Sequence, residues 1–218
     1  MEETLVKYKH CGQKIYVFSD RVRVCPICRH TVSFGLLDAP VVVPAPFTNG
    51  HRVACAFTIG SALGPAHLGE WSDSELHVGI SNSAGLVFSY TLAGVRQDAT
   101  GWERSVCIQL VPPCRPALEE SWDAEIQRFS LRPEWSSERF EEQREFGSCC
   151  YGFALSFINH IRSLDNKAGL SRDEFTRRLV SPHMSSVSRY IQVHRAVSQQ
   201  GFFIHPSEEQ QELGIHPP

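Results

Sequence analysis

A β-hairpin is recognisable in residues 76–90, whose sequence is LHVGISNSAGLVFSY. Apolar residues in its first half alternate with His77 and Gly79. Because successive side chains of a strand point to opposite faces, the histidine is expected on the face away from the apolar residues. The sequence NSAG at 82–85 is typical of a hairpin turn. The stretch therefore predicts two antiparallel strands, with a histidine beside a glycine that leaves room for a substrate backbone.

The segments around this hairpin carry strand and helix patterns. Apolar, partly β-branched stretches at 53–59 and 105–111 predict two further strands, and 202–204 predicts a last short one. Apolar residues at helical spacing predict helices that begin at Pro116, near Ser148, at Ser171 and at Ser186. A strand-rich centre followed by helices predicts an α+β fold, in which a small antiparallel sheet packs against helices.

Cysteines are concentrated near the N-terminus. Cys25 and Cys28 lie in the sequence CPIC, the C-x-x-C spacing with which zinc ribbons present two thiolates to one metal ion. Cys11 offers a third thiolate and His10 or His30 a fourth ligand, and a Cys₃His set is suited to structural zinc. The sequence lacks the fourth cysteine of a complete ribbon, so a metal-free ribbon with packed cysteines is the alternative.

A proline-rich connector follows this segment. Its sequence, APVVVPAP at 39–46, resists helix formation and is a natural domain boundary. With 218 residues, 42% of them apolar, the chain is long enough to bury a core. We predict a zinc-ribbon-like segment at 1–38, an α+β domain at 39–205, and a disordered polar tail at 206–218.

Charge and hydropathy limit the partners of the chain. A net charge of -3 provides no general attraction for nucleic acid, so no nucleic-acid partner is expected. We expect no membrane span and no signal peptide, hence a cytoplasmic or nuclear protein that is not secreted, with reduced thiols. A protein or peptide is the remaining class of partner, and the sequence does not determine the oligomeric state.

Two adjacent cysteines stand at a predicted helix start. The helix dipole at Cys149 and Cys150 favours a thiolate, and His77 on a strand could serve as its base. Depending on the hairpin register, Ser89 or Tyr90 would lie on the face of His77 and could orient it. The alternative is that both cysteines are small core residues and the histidine has no catalytic role.

Several motifs resemble the makorin-2 opposite-strand proteins, a vertebrate family named for the position of its gene. The resemblance covers about Leu5 to Ile204, with the motifs in matching order and spacing. They are PFTNGH at 46–51, LHVGISN at 76–82, GWE at 101–103, and CY at 150–151 followed by ALSFIN at 154–159. The family name implies no activity.

A more distant resemblance is to the circularly permuted papain-like thiol hydrolases. A His-x-Gly-Ile strand, a following strand and a later helix that starts at cysteine carry it. This resemblance implies a permuted papain-like fold with Cys150 as nucleophile, His77 as base, and Ser89 as orienting residue. The chain departs from the pattern because Cys149 replaces the usual asparagine and Ser89 the usual aspartate or asparagine.

Three functional hypotheses follow. The departures favour a papain-like fold that is a non-catalytic or weakly active binding module. The second hypothesis is a cysteine hydrolase or acyltransferase, in which Cys150 and His77 act on an amide, isopeptide or ester. The third is an interaction protein organised by its N-terminal zinc ribbon, with structural zinc as the only cofactor.

Overall fold

The computed structural model describes residues 3–35, 38–62, 75–111, 116–141 and 149–205, with the backbone alone at 116–119. It confirms the α+β class and contains two antiparallel sheets where the sequence predicted one. The chain divides into two compact units, Met1–Ala45 with Ser188–Pro218, and Pro46–Val187. The predicted tail at 206–218 lies outside the described residues. No helix among the described residues is both long and apolar enough to cross a membrane.

The first unit contains a four-stranded sheet in the order β3-β1-β2-β9. Its strands are β1 (Leu5–His10), β2 (Gln13–Phe18), β3 (Val41–Val42) and β9 (Phe203–His205). β1 and β2 form a hairpin whose turn, Cys11-Gly12, has positive φ angles of 51° and 72°. Glycine tolerates this left-handed conformation, whereas a residue with a side chain adopts it at a cost in conformational energy. The hairpin turn therefore holds the backbone of Cys11 in a conformation that cysteine rarely adopts.

The C-terminal strand is part of the N-terminal sheet. β9 pairs with β2 through Ile15↔Ile204, and Ile15 is completely buried. A second core of this unit joins Leu5 and Phe18 to Val193 and Val197 of the last helix. The unit therefore combines both ends of the chain, whereas the sequence placed 188–205 in the second domain. Local sequence patterns contain no information on the pairing of Ile15 with Ile204, because the two residues are far apart in the chain. For this reason the sequence did not predict that residues 188–205 belong to the first unit.

The second unit contains a five-stranded sheet in the order β7-β6-β5-β4-β8. Its strands are β4 (Ala56–Ser61), β5 (Leu76–Ser81), β6 (Val87–Thr91), β7 (Gly94–Asp98) and β8 (Val106–Gln109). The helices that follow are α1 (Pro116–Ser130), α2 (Cys150–Leu164) and α3 (Arg172–Phe175). A π-helical turn (Thr176–Val180) leads into α4 (Ser181–Gln200), which crosses from the second unit into the first.

Strand register divides the side chains of the five-stranded sheet between two faces. Residues directly opposite each other in antiparallel strands share a face, and Phe57↔Ile80 and Ile80↔Phe88 are such pairs. The ring of Phe57 lies 5.7 Å from that of Tyr151 in α2, centroid to centroid. We call this side, with Phe57, Ile80 and Phe88, the helix face.

The other side of the sheet carries His77, Gly79 and Ser89. His77 is opposite Gly60, and the indole of Trp102 covers both glycines of this side. A Cβ added to Gly60 or Gly79 would lie 3.1 or 3.3 Å from the indole ring. We call this side the Trp102 face. The five-residue loop at 82–86 between the strands sets the register that puts Ser89, and not Tyr90, on the face of His77.

The sequence correctly predicted one helix start and one helix end. Ser171 Oγ accepts a hydrogen bond of 3.1 Å from the backbone N–H of Glu174, which caps α3. Gly201 follows α4 with a φ of 84°, the left-handed conformation that ends many helices. The sequence predicted two helices after Ser171, and the structure joins them through the π-helical turn.

Candidate metal centre and sheet cavity

Four metal-ligating side chains converge in the first unit. His10 ends β1, Cys11 lies in the hairpin turn, and Cys25 and Cys28 flank the C-x-x-C loop. Their ligand atoms all lie within 4.8 Å of one another. The cluster consists of the three cysteines for which the sequence proposed zinc and of His10, one of the two candidates for the fourth ligand.

The C-x-x-C loop is held by its own backbone. The N–H of Cys25 donates to the carbonyl of His30 at 2.9 Å, and the N–H of Arg29 donates to the carbonyl of Cys25 at 3.0 Å. Arg29 takes a positive φ of 63°, which closes the turn. The N–H of Ile27 points at Cys25 Sγ from 3.4 Å. His30 therefore contributes its backbone to the loop, and the cluster takes its imidazole from His10.

The distances between donor atoms fit one tetrahedral ion. Cys11 Sγ lies 4.0 Å from Cys25 Sγ, and His10 Nδ1 lies 3.1 Å from Cys11 Sγ and 3.8 Å from Cys28 Sγ. Tetrahedral zinc, with bonds of about 2.3 Å to sulfur and about 2.0 Å to nitrogen, separates its donors by about 3.5–3.8 Å. A small movement of each side chain brings all four atoms to that spacing.

The local electrostatics distinguish the thiols. A hydrogen bond from the backbone of His30 lowers the pKa of Cys28, which favours the thiolate that a metal requires. A hydrogen bond with Cys28 raises the pKa of Cys11 to about 11. Burial and the nearby thiols raise the pKa of Tyr8, whose hydroxyl has no hydrogen-bond partner among the described residues. Three thiols and a buried phenol thus share one small volume, an arrangement that a cation would stabilise.

A cavity of about 340 Å³ opens beside the Trp102 face and is lined by His77 and Ser89. The ring of His77 lies 5.8 Å from that of Trp102, centroid to centroid. Burial lowers the pKa of His77, so the neutral imidazole is favoured. Its Nε2 atom is shielded from solvent and has no hydrogen-bond partner among the described residues.

The glycine beside His77 does not leave the open space that the sequence analysis expected. A Cβ on Gly79 would lie 2.7 Å from Val87 Cγ1, 2.9 Å from the carbonyl oxygen of Phe88 and 3.3 Å from the Trp102 ring. Glycine at this position therefore accommodates the neighbouring strand and the indole.

The helix that begins at Cys150 and the imidazole of His77 lie on opposite faces of the five-stranded sheet. Cys149 is the N-cap of α2 and Cys150 its first residue, as predicted within two positions. Tyr151, the next residue, packs on the helix face, whereas His77 lies on the Trp102 face. Cys150 is also not among the residues that line the cavity. The arrangement thus gives no support to a Cys150–His77 pair, because the sheet lies between the helix and the imidazole.

His51 is a structural residue that the sequence analysis did not select. Its Nε2 accepts a hydrogen bond of 3.2 Å from the backbone N–H of Trp102, and its Nδ1 lies 2.8 Å from the carbonyl oxygen of Gly85. Since an N–H can only donate and a carbonyl only accept, the ring is the neutral Nδ1–H tautomer. These partners are 51 and 34 positions away, so no local pattern could have revealed them.

Comparison with known proteins agrees with the sequence motifs. The chain is 36% identical over 211 residues to the human MKRN2 opposite strand protein, covering 96% of this chain and 92% of the relative. The family model described as DUF4796 C-terminal matches residues 40–197. The chain belongs to the DUF4796 family. No solved structure gives a significant match, so the permuted papain-like resemblance gains no support from solved folds.

The DUF4796 match covers the five-stranded sheet and its helices. The cysteine and histidine cluster precedes it, outside the residues that the family model matches and within the alignment with the human relative. The support for these four residues as candidate metal ligands is therefore their geometry.

Proposed function

We propose that this DUF4796 protein is a non-catalytic interaction protein whose N-terminal unit is organised by one structural zinc ion. His10, Cys11, Cys25 and Cys28 would hold the ion. The convergence of these four donor atoms within 4.8 Å carries the proposal. When bound, zinc would cross-link the β1–β2 hairpin to the C-x-x-C loop.

A structural role fits the donor set better than a catalytic role. Catalytic zinc keeps one position for water or substrate, whereas four protein donors fill a tetrahedron. Cys25 is completely buried, in a cluster with Val6, Ile15 and Val32. A ligand that is itself part of the core links metal binding to folding.

An interaction role is supported by the surface beside this centre. Val24 immediately precedes the C-x-x-C loop and is 48% exposed, and Ile27 lies within the loop and is 41% exposed. Apolar side chains held on a rigid loop suit a protein or peptide partner. Catalysis by Cys150 is not part of the proposal, because its helix and His77 lie on opposite faces of the sheet. A permuted papain-like origin of the second unit remains a proposal that rests on the sequence motifs.

Metal analysis of the purified protein tests the zinc centre. We expect about one zinc ion per chain, since four protein donors complete one tetrahedral site. Replacing Cys28 by serine is expected to remove the metal. The matched variant His30→Ala should retain it, because His30 contributes only backbone groups. Absence of stoichiometric metal, or full retention by Cys28→Ser, would contradict the zinc proposal.

Proximity labelling in cells, with the chain fused to a labelling enzyme, tests the interaction role. Val24→Ser with Ile27→Ser should lose the labelled partners while the zinc content stays unchanged, since neither residue belongs to the metal cluster. Leu131→Ser, at a residue that is 81% exposed in the other unit, is the matched control and should keep them. The same labelled set in all three proteins would refute an interaction at this loop.

A further inference from the structure

We propose that the cavity beside His77 and Ser89 binds a small uncharged polyol, of the size of one sugar ring or a cyclitol. The inference is independent of the zinc centre, because all residues that line the cavity belong to the second unit.

The cavity opens where the pairing of two strands stops. Among the described residues, β5 and β6 pair only at Ile80↔Phe88 and Ser81↔Val87. Their outer neighbours continue, since β4 pairs with β5 as far as Ser61↔Leu76 and β6 with β7 as far as Thr91↔Gly94. A space of about 340 Å³ remains at this end of the sheet. It lies at the lower end of the range of small-molecule sites, about 300–1,000 Å³.

The cavity wall combines hydrogen-bond donors and acceptors. The hydroxyl-bearing residues Ser61 and Ser89 are buried and line it. Asp98 lies beside them, with Oδ1 2.9 Å from Arg96 Nη2 and Oδ2 3.5 Å from Trp102 Nε1. The imidazole of His77 completes this part of the wall.

The charges in the cavity compensate each other, which selects an uncharged ligand. The guanidinium of Arg96 pairs with the carboxylate of Asp98, and burial of His77 lowers the pKa of its imidazole, which favours the uncharged ring. Because the two charges are already paired, the cavity offers a cationic or anionic ligand no uncompensated counter-charge. An uncharged ligand can hydrogen-bond to both members of the pair.

The shape of the cavity favours a saturated ring over a flat base. Trp102 is only 6% exposed, because its ring lies on Gly60 and Gly79 and is tilted by 34° against His77. It therefore has no free face on which a base could stack. Leu92 and Phe140 add apolar surface, against which the C–H face of a polyol can pack while its hydroxyls meet Ser89 and Asp98.

Titration of the zinc-loaded protein followed by NMR tests this inference, with myo-inositol and methyl α-glucoside as probes and adenosine as the flat-ring comparison. We expect binding of both polyols in the millimolar range, typical of about −4 kcal/mol, and no binding of adenosine. Ser89→Ala and Arg96→Gln should each weaken binding about tenfold through a lost hydrogen bond. Arg178→Gln, at an exposed helix residue paired with Glu174, is the control and should bind like the wild type.

Three results would overturn the inference: no polyol binding up to about 50 mM, preferential binding of adenosine, or polyol binding that both cavity variants leave unchanged. Circular dichroism confirms that each variant is folded. Zinc content, measured on the same samples, separates a failure at the cavity from a failure of the metal proposal.

Discussion

Replacing Cys25 by serine is expected to abolish zinc binding and to unfold the four-stranded sheet while the five-stranded sheet stays folded. Serine provides no thiolate, and it places a hydroxyl in the core beside Val6 and Ile15. Binding of structural zinc is worth about 10–16 kcal/mol in small zinc domains, more than any single contact in this unit can supply. Hydrogen exchange should show loss of amide protection in β1, β2 and β9, and retained protection in β4 and β5.

Cys150→Ser is the matched control for this variant. It makes the same thiol-to-hydroxyl change at a half-buried cysteine outside the metal cluster. We expect it to retain zinc and the protection of both sheets. Unchanged exchange of β1 and β2 in the Cys25→Ser protein, or unchanged exchange after the wild type is treated with a chelator, would contradict a structural role for the metal.

Replacing Trp102 by alanine is expected to cost about 3–5 kcal/mol of the free energy of unfolding, the usual cost of removing a large buried aromatic side chain. The indole fills the space left by Gly60 and Gly79, so its removal leaves a void beside both glycines. The backbone N–H of Trp102 stays available to His51, so the effect reports packing and not that hydrogen bond. Urea unfolding followed by circular dichroism measures the change.

Leu131→Ala provides the comparison for Trp102→Ala. Leu131 is 81% exposed, and its truncation should change the free energy of unfolding by less than about 0.5 kcal/mol. Trp102→Phe should fall between the two, because a smaller ring still covers one glycine. A loss below about 1 kcal/mol in Trp102→Ala would mean that the indole is not a principal packing element of its face.

Local signals in the sequence predicted the parts of this fold that depend on neighbouring residues. The hairpin at 76–90, the cap at Ser171 and the end of α4 at Gly201 were all recognisable. The C-x-x-C spacing predicted two residues of the candidate metal centre, because two thiols on one tight loop can face the same ion. The choice between His10 and His30 needed the strand pairing of β1, which places His10 at the hairpin turn.

Contacts between segments that are distant in the chain could not be predicted from local sequence patterns. The packing of Trp102 on Gly79 joins positions in different loops and strands, so the glycine suggested an open space that the indole occupies. The pairing of a nucleophile with His77 depended on which face of the sheet α2 covers, and a strand pattern does not specify that. The sequence left Ser89 and Tyr90 as alternatives for the face of His77, and the five-residue loop of the structure selects Ser89.

The neighbouring positions of β2 and β9 in one sheet affect how the chain folds during synthesis. The β1–β2 hairpin leaves the ribosome early, but its edge strand follows only after the whole second unit has been made. Since synthesis adds about 5–20 residues per second, the edge of β2 stays unpaired for about 10–40 s before β9 is made. A ribosome-bound chain that ends before Phe203 should therefore hold a folded five-stranded sheet and an incomplete N-terminal unit, which zinc would have to protect until translation ends.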